Sequence, residues 1–306
     1  MTKVSPDNAG RQHAADRLLA AIERVGSPVC VGIDPVLQRL PAALQPVECD
    51  TAASVAAIRS FSIGVLDAVA PHAACVKIQS ACFERYGASG VQALQAVVGA
   101  ARERDLQIVL DAKRGDISVS AEHYAYAAFG EPGARRGDTA DWLTINSYFG
   151  TDGIRPFLQP GHGLFALVRT SNPDGDRVQA ARLKDGRTVA ELVAAMVAEV
   201  GAGVVGAGGY SAVGAVVAAT KPHETEALRA LMPQQVFLVP GFGAQGGDAE
   251  SVRSCFAADG RGAIVTASRS VIYAFSPDQP DWKGAVGDAA AAFAEQIADV
   301  ASRSRR

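Results

Sequence analysis

The sequence lacks the spacings that announce a metal or disulfide framework. Its five cysteines (Cys30, Cys49, Cys75, Cys82 and Cys255) are odd in number and far apart, and no C-x-x-C pair occurs. Neither a disulfide scaffold nor a structural zinc site is therefore encoded, and buried thiols in a reducing compartment are expected instead. The five histidines (His13, His72, His123, His162 and His223) are scattered, with no H-x-x-x-H or H-E-x-x-H, which removes a histidine-based metal centre. Neither charge is in excess: 29 Lys plus Arg stand against 32 Asp plus Glu. A nucleic-acid binder would carry a basic excess or stripe. The opening segment, MTKVSPDNAGRQHAADR, has no apolar core of the kind a secretory signal needs. One long uncharged stretch, 200–220, holds six glycines and draws its apolar content mostly from Ala and Val. That is too weakly hydrophobic for a spanning helix, and the chain is expected to be cytoplasmic, without membrane or nucleic-acid partners. The glycines at 201–206 imitate a dinucleotide fingerprint but lack the acidic residue that would close a second strand.

What the chain does have is material for a large core. Of its 306 residues 48% are hydrophobic and 20% charged, the balance of a globular protein. Short Val- and Ile-rich runs recur at 28–34, 73–79, 106–113, 142–148, 164–171, 214–220, 236–241 and 262–267. Runs that are apolar throughout fit parallel strands covered on both faces. Helical spacing occupies 51–69, 89–104, 188–200 and 222–231 between them, which calls for right-handed βαβ units. Eight such runs predict an α/β fold, a closed (β/α)8 TIM barrel. The barrel would form a single domain over 1–306, with its core at about 18–295. Periodicity alone leaves a doubly wound open sheet as the alternative. Residues 204–208 and 214–220 both qualify for the sixth strand, and the second is preferred because Pro222 then opens the following helix. Loop excursions are expected near 130–140, 172–187 and 200–213, where the composition turns polar or glycine-rich.

Charge sits at the strand ends in a consistent way. Asp34 closes the first run, Lys77 lies in the second, and Asp111 and Lys113 end the third. In a barrel these positions face the mouth where active sites form. A charge ending an apolar run costs desolvation energy unless it is paired or serves a site. Asp111 and Lys113, two residues apart, share a strand face, and Asp116 follows in the turn. Alone, this D-x-K-x-x-D reads equally as one salt bridge plus a helix cap, since Asp116 precedes a helical segment starting near Ile117. With Lys77 and Asp34 it becomes an array in which neighbouring charges keep each other ionised. Past the seventh run, 239–248 (VPGFGAQGGD) carries four glycines, and Arg269 follows the eighth run. Loops after strands seven and eight are the usual phosphate site of this architecture. Close backbone N–H groups beside an arginine suit a phosphate dianion. Tyr148 and Phe149 either line the mouth or pack.

Taken in order, these segments resemble one family. They are 29–34 (VCVGID) with Pro35, 76–77 (VK), 83–87 (FERYG), 111–117 (DAKRGDI), 144–150 (TINSYFG), 168–172 (VRTSN) with Pro173, 239–247 (VPGFGAQGG) and 268–270 (SRS). The set is similar to orotidine 5'-phosphate decarboxylases, and the longer insertions resemble the bacterial type 2 branch. The departures are mild: Ser120 stands where the family often has Thr, and the phosphate-loop G-F-G more often has a smaller aliphatic centre. The resemblance implies Lys77, Asp111, Lys113 and Asp116 as a catalytic tetrad, with Asp116 reaching into a neighbouring subunit. It implies Asp34 on a ribose hydroxyl, Ser171 on the pyrimidine edge, and Gln245 and Arg269 on the 5'-phosphate with Gly243 lining that loop. Ser120 of the partner subunit would lie near the ribose. The implied enzyme is a homodimer with shared sites, acts on a pyrimidine nucleoside monophosphate in de novo pyrimidine biosynthesis, and needs no metal and no organic cofactor.

Relatives on the same scaffold that recruit a divalent metal would meet repulsion from Lys77 at the second strand end. Activity is therefore expected to survive exhaustive dialysis against EDTA. Loss of turnover that returns with a divalent ion would overturn this reading.

Overall fold

The computed structural model describes residues 12–48, 50–131, 137–219, 222–241 and 249–304. Eight parallel strands pair in sequence order: β1 (Val29–Ile33), β2 (Cys75–Gln79), β3 (Gln107–Arg114), β4 (Trp142–Ile145), β5 (Gly163–Arg169), β6 (Val213–Val217), β7 (Phe237–Val239) and β8 (Ala263–Ala267). β8 returns to pair with β1, so the sheet is a closed barrel and not a doubly wound open one. Helices Thr51–Val69, Gly87–Arg102, Ser118–Phe129, Val189–Gly201, Pro222–Leu231, Ala249–Arg253 and Trp282–Ser304 follow β1, β2, β3, β5, β6, β7 and β8. The fourth crossover departs from the pattern. Three 3₁₀ turns (Ser147–Phe149, Thr151–Gly153 and Arg155–Phe157) replace its helix, because Gly150 at φ 75° and Pro156 interrupt any longer one.

The sixth strand falls on the second of the two candidate segments, starting one residue earlier, at Val213. The first instead turns back on itself through a bridge between Val205 and Ser211. The polar stretch after β5 is not structureless: it holds a 3₁₀ turn (Pro173–Gly175), a helical turn (Asp176–Gln179) and a bridge from Arg182 to Thr188. Buried Arg169 anchors it, donating to Asp176 at 2.5 Å and Gln179 at 3.1 Å while also reaching Glu224 at 2.8 Å. Cys30, Cys75 and Cys255 are buried and Cys82 half-buried, all as free thiols; Cys49 lies outside the described residues.

Alternation along the strands divides two cores. Outward residues such as Val31, Ile78, Ile108, Leu143 and Val265 pack under the helices. Inward residues Cys30, Cys75, Val109, Trp142, Phe165, Val216, Leu238 and Ile264 fill the barrel itself. Trp142 and Phe165 stack at 4.7 Å, and glycines on the next strands make room for them: a Cβ at Gly163 would stand 2.2 Å from Trp142, and one at Gly214 2.7 Å from Phe165. Large and small side chains thus interlock across the lumen. Helix Thr51–Val69 is long and apolar enough to cross a bilayer by length and composition. Here Ile58, Phe61, Val65 and Val69 belong to the outer core, and Gly64 brings the helix so close to Trp282 that a Cβ would lie 2.5 Å from its ring.

The helix Ala14–Val25 packs Ala14, Ala15, Leu18 and Leu19 onto the inward layer from the N-terminal side of the strands. Asp141, almost fully buried just before β4, ties it down. Its Oδ1 accepts from Arg17 at 3.0 Å and Arg102 at 2.9 Å, and its Oδ2 accepts the Ile108 N–H at 3.0 Å. One carboxylate therefore joins the first helix, the helix before β3, and β3 itself. Asp141→Ala strands a buried N–H and two arginines, and is expected to cost about 3 kcal/mol of stability in urea unfolding. A loss below about 1 kcal/mol, the scale of an exposed pair, would remove Asp141 from this clamping role.

Candidate active site

The inward register that fills the lumen with apolar side chains continues upward into charge. Two residues beyond Cys30 and Cys75 stand Gly32 and Lys77, two beyond Val109 is Asp111, two beyond Trp142 is Thr144, and two beyond Ile264 is Thr266. One further step gives Asp34, Lys113 and Ser268. All of these lie at the C-terminal end of the strands, where loops can be varied without disturbing the packed layers below.

Asp111 is the centre of the group. It is buried, and its two oxygens are divided between two lysines: Oδ2 accepts from Lys77 Nζ at 2.8 Å and Oδ1 from Lys113 Nζ at 2.6 Å. Burial works against its charge, but Lys77 and Lys113 outweigh that and hold its pKa down at about 2. Lys77 is itself buried; desolvation opposes its ammonium form, yet Asp34 and Asp111 raise its pKa above the ordinary lysine value. Asp34 Oδ1 lies 3.7 Å from Lys77 Nζ. Asp111 thus stays ionised at pH 4, where an ordinary carboxylate is about half protonated.

Asp34 is held from two sides. Ser268 Oγ donates to its Oδ2 at 2.8 Å, and Tyr273 Oη donates to its backbone carbonyl at 3.0 Å while accepting the Val36 N–H at 2.7 Å. The approach of Ser268 requires glycine on β1, since a Cβ at Gly32 would stand 2.8 Å from the Ser268 Cβ. Asp34 Oδ1 remains buried with no hydrogen-bond partner among the described residues, and its ion-pair neighbour is Lys77.

Lys113 is the exposed member, with 47% of its side chain accessible. Its backbone is left-handed, φ 45°, and the β3–β4 register shifts between Leu110 and Arg114. Such a conformation in a residue with a Cβ persists only where the surroundings enforce it. Thr144 supplies part of that: its Oγ1 accepts the Lys113 N–H at 2.9 Å and donates to Asp111 Oδ1 at 2.9 Å.

The structure brings together Asp34, Lys77, Asp111 and Lys113, but not every expected residue. Asp116 does not pair with these lysines within its own chain. It also fails as a helix cap: Ser118–Phe129 starts after Ile117, which occupies the cap position without a side-chain bond, and Asp116 accepts only the Ile117 N–H at 2.8 Å. Ser118 at φ 51° and extended Ile117 put the helix start one residue too late for Asp116 to cap it. Ser120 is exposed on the first turn of that helix, and Ile117, Val119, Tyr148 and Phe149 near it are exposed apolar side chains. Tyr148, 85% accessible, is thus neither packed nor covered among the described residues. Ser171 is half-buried two residues past β5. Arg269 is exposed at the start of the short helix Arg269–Ile272 and makes no ion pair among the described residues. Gly243 and Gln245 lie outside the described residues. Thr144 and Ser268 also belong to the group, and the sequence signal for both is that they continue the inward register. Among the described residues, no cluster of three or more His, Cys, Asp or Glu is placed to hold a metal ion.

A closed parallel barrel with a Lys–Asp–Lys array at its C-terminal mouth, Asp111 and Lys77 buried, has the architecture of a (β/α)8 enzyme. Comparison with known proteins narrows this. Residues 27–280 match the family model described as "Orotidine 5'-phosphate decarboxylase / HUMPS family", and the chain belongs to that family. It is 39% identical to the orotidine 5'-phosphate decarboxylase of Rhodopirellula baltica, over 92% of this chain and 98% of that protein. It is 40% identical to the orotidine 5'-phosphate decarboxylase of Deinococcus radiodurans, over 88% and 91%. The structure of Leishmania donovani OMP decarboxylase superimposes with a TM-score of 0.74 at 30% identity, covering 95% of this chain and 99% of that one.

Proposed function

We propose that this protein decarboxylates orotidine 5'-phosphate to uridine 5'-phosphate and CO2, a step in making pyrimidine nucleotides. The observation that carries the reading is the division of buried Asp111 between Lys77 and Lys113. Breaking the bond from C6 to the carboxylate releases CO2 and leaves an electron pair in the ring plane, with no conjugated sink to receive it. The site must stabilise that pair electrostatically and then protonate it. Lys113 is suited to both: its ammonium is a point cation on a flexible stem, held beside C6 by Asp111. One Nζ proton passes to C6, and solvent restores it after product leaves. Asp111, ionised, faces the departing carboxylate and favours its loss as neutral CO2.

The remaining residues bind. Asp34, whose Oδ1 accepts no hydrogen bond among the described residues, accepts from a ribose hydroxyl. Ser171 reads the pyrimidine edge. Arg269, exposed and unpaired among the described residues, grips the 5'-phosphate together with Gln245 and the backbone at Gly243. Phosphate binding far from C6 supplies energy that can be expressed in the transition state. Asp116 and Ser120 serve the site of a second subunit in a cytoplasmic homodimer. Support comes from Asp116 pairing with no lysine among the described residues, and from exposed Ile117, Val119, Tyr148 and Phe149, apolar side chains suited to an interface.

Lys113→Ala is expected to lower kcat by roughly 10⁴-fold or more while nucleotide affinity changes little, the pattern of a transition-state contact. Loss of orotidine monophosphate absorbance follows turnover, and calorimetric titration with uridine 5'-phosphate follows binding. A fall in kcat smaller than about tenfold would remove Lys113 from the central role.

The shared site is tested by mixing two inactive variants, Asp116→Asn and Lys113→Ala, under proven subunit exchange. In a mixed dimer both lesions fall on one site and the other is intact. Random pairing makes half the dimers mixed, so about a quarter of wild-type activity should return. No recovery despite exchange, or an active monomer in analytical ultracentrifugation, would refute it.

A further inference from the structure

Thr144 has no part in the chemistry above, yet it touches both residues on which that chemistry rests. It lies on the inward face of β4, two residues beyond Trp142, and is 1% exposed. A backbone N–H can only donate and an ionised carboxylate can only accept. The Lys113 N–H therefore fixes Thr144 Oγ1 as an acceptor on one side, and the single hydroxyl proton must go to Asp111 Oδ1 on the other. Nothing in this pair of bonds can be reversed.

Two consequences meet at the reacting groups. Asp111 receives three donors, Lys77 on Oδ2 and both Lys113 and Thr144 on Oδ1, so the plane of its carboxylate cannot rotate without breaking at least one bond. Lys113 has its backbone held at φ 45° where the β3–β4 register shifts, and the hydroxyl takes an N–H that a regular ladder would have used. One side chain thus fixes the orientation of the acceptor and the backbone from which the cation springs.

We propose that Thr144 is a positioning residue for decarboxylation, its hydroxyl setting the aim of Lys113 by holding Asp111 and the Lys113 backbone in one hydrogen-bonded ring. The inference rests on the reading of Lys113 as the proton donor to C6. It makes Thr144 matter for the rate and not for nucleotide binding, because neither of its bonds is directed at the phosphate or ribose groups.

Thr144→Val keeps the shape and removes the hydroxyl; Thr144→Ser keeps the hydroxyl. Thr144→Val should lower kcat about 10- to 100-fold, the worth of a hydrogen bond to a charged group. KM for orotidine 5'-phosphate and Kd for uridine 5'-phosphate should stay within about threefold, and Thr144→Ser should recover most of the rate. A merely structural role would degrade binding together with kcat, and serine would not rescue it selectively. The proposal is overturned if Thr144→Val turns over like wild type, if it loses binding in step with kcat, or if Thr144→Ser is as slow as Thr144→Val. Should Thr144→Val not fold, Thr144→Cys, whose thiol is a weak donor, takes its place with the same expected split. Wild type run alongside separates the two readings. Wild type that binds uridine 5'-phosphate yet leaves orotidine 5'-phosphate unchanged refutes the decarboxylase reading itself, whereas an active wild type matched by Thr144→Val refutes only the role of Thr144.

Discussion

Asp111 is a carboxylate that two ammonium groups share inside a barrel, and the rest of the mouth is arranged around keeping it there. Burying one charge without partners would cost several kcal/mol; burying Asp111 between Lys77 and Lys113 turns the cost into a mutual constraint. Each lysine holds the carboxylate ionised, and Asp111 in turn helps keep Lys77 charged. Two cations on one anion leave the trio positive, and Asp34, 3.7 Å from Lys77, offsets it. The local field therefore depends on four side chains from three adjacent strands, and on the register that brings those strands together.

The same register links packing to chemistry. Trp142, Val109, Cys75 and Ile264 fill the lumen, and the inward positions above them carry Thr144, Asp111, Lys77 and Thr266. The apolar layer is a floor that excludes water from below and fixes the height at which the charges stand. A slip of one residue in β3 would exchange Asp111 for its neighbours and place the carboxylate among helix-facing apolar side chains. Packing of the lumen is thus part of what positions the charge. Backbone strain sits at Lys113, directly beyond the last residue that the floor constrains.

Much of this was legible in the sequence because charge inside an apolar run is a strong signal. Asp34, Lys77, Asp111 and Lys113 each break or end a strand pattern, and the structure brings all four together. The barrel was legible from eight runs and their helical spacers, but its fourth crossover was not, since 3₁₀ turns have no period to read. Asp116 failed as a cap because the local rule assumes the helix starts at once, whereas Ile117 is extended and Ser118 left-handed. Thr144 was hidden for the opposite reason. A threonine in a strand is ordinary β-branched filling, and only the left-handed turn of Lys113 gives its hydroxyl a backbone N–H to accept. The glycines of 239–247 are the signal that suggests a phosphate loop, and residues 242–248 lie outside those described.

The clamp on the first helix carries an implication for how the chain is made. Helix Ala14–Val25 emerges early, but Asp141 lies 124 residues beyond Arg17, and the apolar floor on which Leu18 and Leu19 rest includes Val216, Leu238 and Ile264. Until the last strands exist, that surface is incomplete and the helix has nowhere to dock. A segment synthesised before all eight strands is among the last to acquire its native neighbours. Its polar face, with Asp16, Arg17, Glu23 and Arg24, must keep it soluble through that wait, and closure of the barrel floor becomes a late event of folding that draws on contacts of long sequence separation.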